Sequence, residues 1–159
     1  MCGRYTLSIP LSNLVDSFDV DPPDFDYPAR YNIAPSQDAP IIAQDEDGRR
    51  MGLLKWGLVP FWAEDPKIGN RMINARSETA AEKPAFRQAF RRRRCLVPAD
   101  GFFEWKKETS DGGKSNKTPY WIHRAGGAPF VMAGLWERWE PEDASSLYTF
   151  TILTTEAVP

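Results

Sequence analysis

Ala39-Pro40-Ile41-Ile42-Ala43-Gln44-Asp45-Glu46-Asp47-Gly48-Arg49-Arg50-Met51-Gly52-Leu53-Leu54-Lys55-Trp56 reads as strand, turn and returning strand. Residues 39–44 are apolar and partly β-branched, 45–48 are turn formers, and 49–56 supply the hairpin partner. Gly57-Leu58-Val59-Pro60-Phe61-Trp62 then leaves the hairpin with two more aromatic residues, which either stack on a base or pack in a core. Upstream, Arg30-Tyr31-Asn32-Ile33-Ala34-Pro35 is extended, and residues 19–30 carry three prolines and four aspartates in an irregular loop. Leu11, Leu14, Val15 and Phe18 follow helical spacing behind Ser8 and Pro10, and Tyr5-Thr6-Leu7 is a short strand.

Downstream, Ile73-Asn74-Ala75-Arg76 is extended, with Asn74 and Arg76 on one face and Ile73 and Ala75 on the other. Thr79 and Glu82 have the spacing of a capping box, so a helix is expected to start there, and Pro84 marks its first turns or a second start. Phe86 and Phe90 face a core at i, i+4. Arg87 and Arg91 to Arg94 load the C-terminal turn, where cations complement the helix dipole. Cys95-Leu96-Val97-Pro98 reads as a buried strand whose thiol is inert. Asp100-Gly101 turns the chain into Phe102-Phe103-Glu104-Trp105-Lys106, which alternates. Residues 108–118 read as a polar loop. Strands are expected at 120–124, 129–136 and 147–155, with an acidic turn at 140–143. The single histidine, His123, falls in a strand and reads as structural.

At 159 residues the chain fits one domain with a real core. No apolar run approaches the ~20 residues of a membrane span, and no charged segment precedes an apolar one as in a signal peptide. Two cysteines without export signals argue for a reducing compartment and against a disulfide scaffold, so a cytoplasmic protein is expected. No metal or cofactor is expected, because there is no CxxC, HExxH or phosphate-cradling glycine loop. Net charge is −2, unevenly spread: −7 over residues 1–48, +8 over 49–107 and −3 over 108–159. The basic middle is either an anion-binding face or a solvated basic helix.

Met1-Cys2-Gly3-Arg4 offers chemistry. A small second residue normally lets methionine be trimmed, leaving an N-terminal cysteine with amine and thiol on neighbouring carbons. The free groups titrate at roughly 7.7–8.0 and about 8.5, so both have a nucleophilic fraction near neutral pH. Such a pair takes an aldehyde to an imine and then to a thiazolidine ring, or attacks an amide. The alternative is an accidental cysteine on a frayed terminus. Glu104, among aromatics, is either a desolvated carboxyl with a raised pKa, fit to shuttle protons, or an edge-strand glutamate in water.

Five stretches resemble the SOS response-associated peptidase (SRAP), or abasic-site processing, family: Met1-Cys2-Gly3-Arg4-Tyr5, Tyr31-Asn32-Ile33-Ala34-Pro35, Trp56-Gly57-Leu58-Val59-Pro60, Ile73-Asn74-Ala75-Arg76-Ser77-Glu78-Thr79 and Asp100-Gly101-Phe102-Phe103-Glu104-Trp105-Lys106. They come in the family's order along the whole chain. The resemblance implies a single α+β domain over residues 1–159, on a curved, partly barrel-like, mostly antiparallel sheet flanked by helices. It implies binding of single-stranded DNA at an abasic site in the DNA damage (SOS) response. The lesion aldehyde would be captured by Cys2 as a thiazolidine, in a suicide-type, lyase-like reaction. Asn74 would position the reacting groups and Glu104 would be the acid/base. Arg4 and Arg76 would clamp phosphates, with Asn32, Trp62 and Thr154 also at the DNA groove. The family carries a further catalytic histidine in a His-x-Arg-Met-Pro segment beyond the last matched strand, so the natural protein is expected to continue past Pro159. A monomer that keeps off membranes and associates with the nucleoid when bound to DNA is expected.

Two other readings compete. A cysteine peptidase would use Cys2 on peptide bonds and would need an oxyanion hole. A non-catalytic reader of single-stranded or modified DNA would stack bases on Trp56 or Trp62.

Overall fold

The computed structural model describes residues 1–109 and 115–157. Two sheets carry the fold. The first has four strands in the order β2-β1-β7-β8: β1 Tyr5–Leu7, β2 Arg30–Ile33, β7 Gly101–Thr109 and β8 Ser115–Ile122. The second runs β4-β3-β6-β9-β10-β5: β3 Asp38–Asp45, β4 Gly48–Trp56, β5 Asn74–Arg76, β6 Arg94–Ala99, β9 Phe130–Trp139 and β10 Leu147–Thr154. β10 also pairs in parallel with β4 through Thr149↔Lys55 and Phe150↔Trp56, which curls five strands into a partial barrel. All other pairings except β10–β5 are antiparallel. The helices are short: α1 Leu11–Phe18, α2 Ser77–Ala80 and α3 Arg87–Arg92. This is the expected α+β class with a mostly antiparallel, partly barrel-like sheet.

The hairpin of residues 38–56 forms as expected, with paired residues from Asp38↔Lys55 to Asp45↔Gly48. Its apolar face builds a core around Trp56, whose ring lies edge-on to Tyr5 at 5.2 Å and stacks on Phe150 at 6.3 Å. Trp56 is 1% exposed, and its indole N–H donates to the Ile73 carbonyl at 2.9 Å, so it cannot stack on a base. A second core of Leu58, Ala75, Ala80, Phe86, Ala89 and Leu135 lies under α2 and α3.

β10 exchanges partners along its length, meeting β4 at residues 149–150 and β5 at residues 152–154. The exchange turns on Gly57, where β4 ends. Its φ is +128°, and a Cβ there would stand 2.6 Å from the Gly69 carbonyl oxygen, so only glycine fits. The 57–73 segment loops out and returns at Asn74, beside β10.

Four expectations are corrected. The capping box does not form: α2 starts at Ser77, and the Thr79 hydroxyl is buried without a partner, while its carbonyl accepts from the N–H groups of Glu82 and Lys83 in a turn. Pro84 separates α2 from α3. The arginine run is divided, because Arg93 pairs with the buried Glu137 at 3.0 Å and Arg94 belongs to β6, leaving Arg91 and Arg92 in the last turn of α3. Residues 108–109 and 115–118 are strand rather than loop, since β7 and β8 pair from Phe102↔Ile122 to Thr109↔Ser115; the rest of that expected loop lies outside the described residues. His123 lies just past β8, exposed, and stacks on Trp121 at 4.2 Å.

Candidate active site

Cys2 is part of the main core, 6% exposed, although only one residue precedes it. β1 holds it there. This central strand pairs with β2 on one side and β7 on the other, so the head of the chain is gripped between two neighbours. The frayed-terminus reading of Cys2 therefore fails.

Two side chains from different sheets meet this head. Asn74, on β5 of the six-stranded sheet, donates its Nδ2–H to the Cys2 carbonyl at 2.8 Å. Glu104, on β7 of the four-stranded sheet, accepts from the Met1 ammonium at 3.0 Å. The second contact follows from antiparallel pairing. Tyr5 lies opposite Phe102, so the chain before Tyr5 runs alongside the chain after Phe102. The Phe103 N–H donates to the Arg4 carbonyl at 2.9 Å and extends the ladder toward Glu104. Asn74 Oδ1 is buried and has no hydrogen-bond partner among the described residues.

The electrostatics differ from expectation in two respects. Burial pushes the Cys2 thiol up to about 11; the Arg4 backbone hydrogen bond and the N-terminal charge pull it down, and the Glu104 charge adds to the rise. At neutral pH the buried thiol is therefore held in its protonated form. Glu104 is not sealed among aromatics. Its side chain is 39% exposed and ion-paired, beside an open groove of about 400 Å³ lined by Trp105, Lys106, Tyr120 and Ile122. Two clefts along α1, of about 470 and 590 Å³, contain neither Cys2 nor Glu104, so size alone does not mark the site.

The remaining candidates fall at different places. Arg4 is half-buried next to Cys2, its guanidinium donating to the Gly3 carbonyl at 3.1 Å. Arg76 is exposed two residues beyond Asn74, and Thr154 is its partner across the β5–β10 ladder. Asn32 is exposed on β2, the neighbour of β1. Trp62 is half-exposed and donates to the Pro84 carbonyl at 3.5 Å, lining a cleft with Lys67 and Arg71; among the described residues no hydrogen bond ties it to Cys2. Asp100, in a recognised stretch but given no role beyond a turn, is buried and accepts from Thr6 and Ser8. The signal for it was a carboxylate next to a glycine at a strand junction. Among the described residues no group of three or more His, Cys, Asp or Glu could hold a metal ion.

The fold and this geometry define a protein organised around a cysteine at the head of a two-sheet domain, with a carboxamide from one sheet and a carboxylate from the other converging on it. The chain belongs to the SOS response-associated peptidase (SRAP) family, whose model matches residues 1–159. It is 47% identical over 158 residues to the abasic site processing protein YoaM of Bacillus subtilis, covering 98% of this chain and 68% of that one. It is 36% identical to the abasic site processing protein YedK of Escherichia coli, over 85% of this chain and 59% of that one. A crystal structure of a Bacteroides thetaiotaomicron protein superposes with a TM-score of 0.85 at 30% identity, covering 98% of this chain and 68% of the other.

Proposed function

We propose that this chain is an abasic-site processing protein that binds single-stranded DNA and captures the ring-opened sugar of the lesion through Cys2, once Met1 is removed. The relatives named for abasic-site processing support the general activity. The observation that carries the mechanism is the convergence of Asn74 and Glu104, 2.8 and 3.0 Å from groups of the first two residues.

The freed Cys2 amine attacks the C1′ aldehyde and water leaves, giving an imine. The thiol then adds to the imine carbon, its proton passing to the nitrogen, and a C–S bond closes the thiazolidine. The net change is one water lost and no redox. Because burial holds the thiol protonated, ring closure is the step that needs a base. Glu104, which holds the Met1 ammonium in the unprocessed chain, takes the thiol proton once the Cys2 amine is freed and returns it to nitrogen. Asn74 holds the Cys2 carbonyl, and its free Oδ1 accepts from the amine or a sugar hydroxyl. Arg4 and Arg76 neutralise the flanking phosphates, with Asn32 and Thr154 along the same strand path and Trp62 at its edge, so binding weakens steeply with salt. The protein acts once, as a monomer, and the adduct shields the strand in the damage response.

The test is to incubate the protein, with Met1 shown by mass spectrometry to be removed, with abasic and intact single-stranded oligonucleotides. A heat-stable shifted band appears with the abasic strand alone. Cys2→Ser forms a borohydride-trappable imine that heat releases, since its hydroxyl closes no stable ring. No heat-stable band from the processed protein, or a heat-stable adduct from Cys2→Ser, refutes the proposal. Peptide turnover that continues in the presence of abasic DNA points instead to a cysteine peptidase.

A further inference from the structure

The relative place of Cys2 and Glu104 hangs on a short ladder. β1 and β7 share two residue pairs, Tyr5↔Phe102 and Thr6↔Gly101, and the β1–β2 register shifts between Tyr5 and Leu7. A slip of one residue would turn every side chain of β1 to the opposite face and drive out Tyr5 and Leu7, both 0% exposed, and a polar pin adds to that apolar register.

That pin is built around Asp100, which is 5% exposed at the corner between β6 and β7. Its Oδ1 accepts from the Thr6 hydroxyl at 2.5 Å. Its Oδ2 accepts from the Ser8 hydroxyl at 2.5 Å and from the Ser8 N–H at 2.7 Å. Its own N–H donates to the Thr6 carbonyl at 3.0 Å. The Trp121 indole N–H, from β8, donates to the same Thr6 hydroxyl at 3.2 Å. Gly101 makes room for that indole, since a Cβ there would stand 2.0 Å from Trp121 Nε1. One buried carboxylate thus ties β1 to the β6–β7 corner, and β8 joins through Thr6. Burial raises the Asp100 carboxyl, but the hydrogen bonds from Ser8 and Thr6 outweigh it and hold the group below the usual carboxylate range, so it is an ionised acceptor at neutral pH.

We infer that Asp100 is a positioning residue for the capture reaction: through Thr6 and Ser8 it sets the register of β1 against β7, and with it the place of Cys2 relative to Glu104. This rests on the abasic-site reading above. Asp100 makes no hydrogen bond to Cys2 or Glu104 and acts through residues 3–6 on one side and 101–103 on the other.

The experiment compares Asp100→Asn, Thr6→Val and Thr6→Ser with the unaltered protein. Cross-linking rates are read at saturating abasic single strand, and affinity is read on a strand carrying the tetrahydrofuran analogue, which has no aldehyde. Asp100→Asn and Thr6→Val slow cross-linking by roughly 10²-fold, the scale of a 1 Å misplacement, and leave analogue affinity within about threefold. Thr6→Ser, which keeps the hydroxyl, restores the rate. Equal rates in Asp100→Asn, a loss of affinity that tracks the loss of rate, or no rescue by Thr6→Ser overturns the inference. If the unaltered protein forms no adduct, it is the abasic-site reading that fails. The register is then judged by amide exchange at Phe103, which donates to Arg4. In Asp100→Asn that amide exchanges about tenfold faster while β6–β9 amides hold, and unchanged exchange at Phe103 overturns the inference.

Discussion

Asn74 makes the side-chain contact to the Cys2 carbonyl. A carboxamide offers a donor and an acceptor at once, and here the donor is spent on the Cys2 carbonyl while the acceptor is buried and free. Asn74→Asp keeps the shape but turns an acceptor toward an acceptor, which pushes the Cys2 carbonyl away. The expected result is cross-linking slowed by about 10²-fold with affinity for the tetrahydrofuran-containing strand nearly unchanged. A salt-dependent loss of affinity with the rate constant intact would make Asn74 a DNA contact instead. At this scale the sequence was informative about identity and less so about environment. Cys2, Asn74 and Glu104 were singled out by the resemblance of their motifs. The burial that pushes the thiol to about 11, and the exposure that leaves Glu104 in contact with water, were not, because both depend on residues 70 to 100 positions away.

Among the elements, α3 shows how an apparent run is divided by its neighbours. Four consecutive arginines read as one cationic helix end, yet Arg93 turns inward. Its Nη1 lies 3.0 Å from Glu137 Oε1 without the alignment of a hydrogen bond, and its guanidinium stacks over Trp136 at 5.7 Å. Glu137 is 1% exposed; burial raises its carboxyl, opposed by the Arg138 N–H and the Arg93 charge. Removing Arg93 leaves a buried carboxylate uncompensated. Arg93→Ala should lower stability by about 3 kcal/mol in urea unfolding, and Arg93→Met with Glu137→Met should recover most of it, because a paired charge is removed with its partner. If the double variant is as unstable as the single one, packing on Trp136 rather than charge is what Arg93 provides. Arg91 and Arg92, exposed in the last turn of α3, keep the dipole role and stay open to phosphates.

For the whole molecule, the two buried thiols make a pH prediction. Burial pushes Cys2 to about 11 and Cys95 to about 12, against about 8.5 in an unfolded chain. A raised folded-state pKa means that between about pH 8.5 and 11 the unfolded chain gives up thiol protons the folded one keeps. Stability from these groups is therefore complete below about pH 8.5 and declines as pH rises, with a slope approaching 1.4 kcal/mol per pH unit for each thiol. Urea midpoints measured from pH 7.5 to 10.5 should fall. In Cys95→Ala the fall should be shallower, even though the variant starts less stable. An equal slope in the variant would show that the lysines and tyrosines, not the thiols, control alkaline unfolding.

Short-range physics accounts for what could be read along the chain. Alternation and turn formers located the hairpin, helical spacing located α1, and five motifs pointed to the family. The partner exchange of β10 from β4 to β5, the closing of five strands into a partial barrel and the burial of Trp56 could not be read that way, since each depends on pairing between segments with no local signature. The site itself belongs to that second group. Its carboxamide and carboxylate sit at positions 74 and 104, and only strand pairing within one sheet and the packing of the other against it bring them within hydrogen-bond reach of the Cys2 carbonyl and the Met1 ammonium.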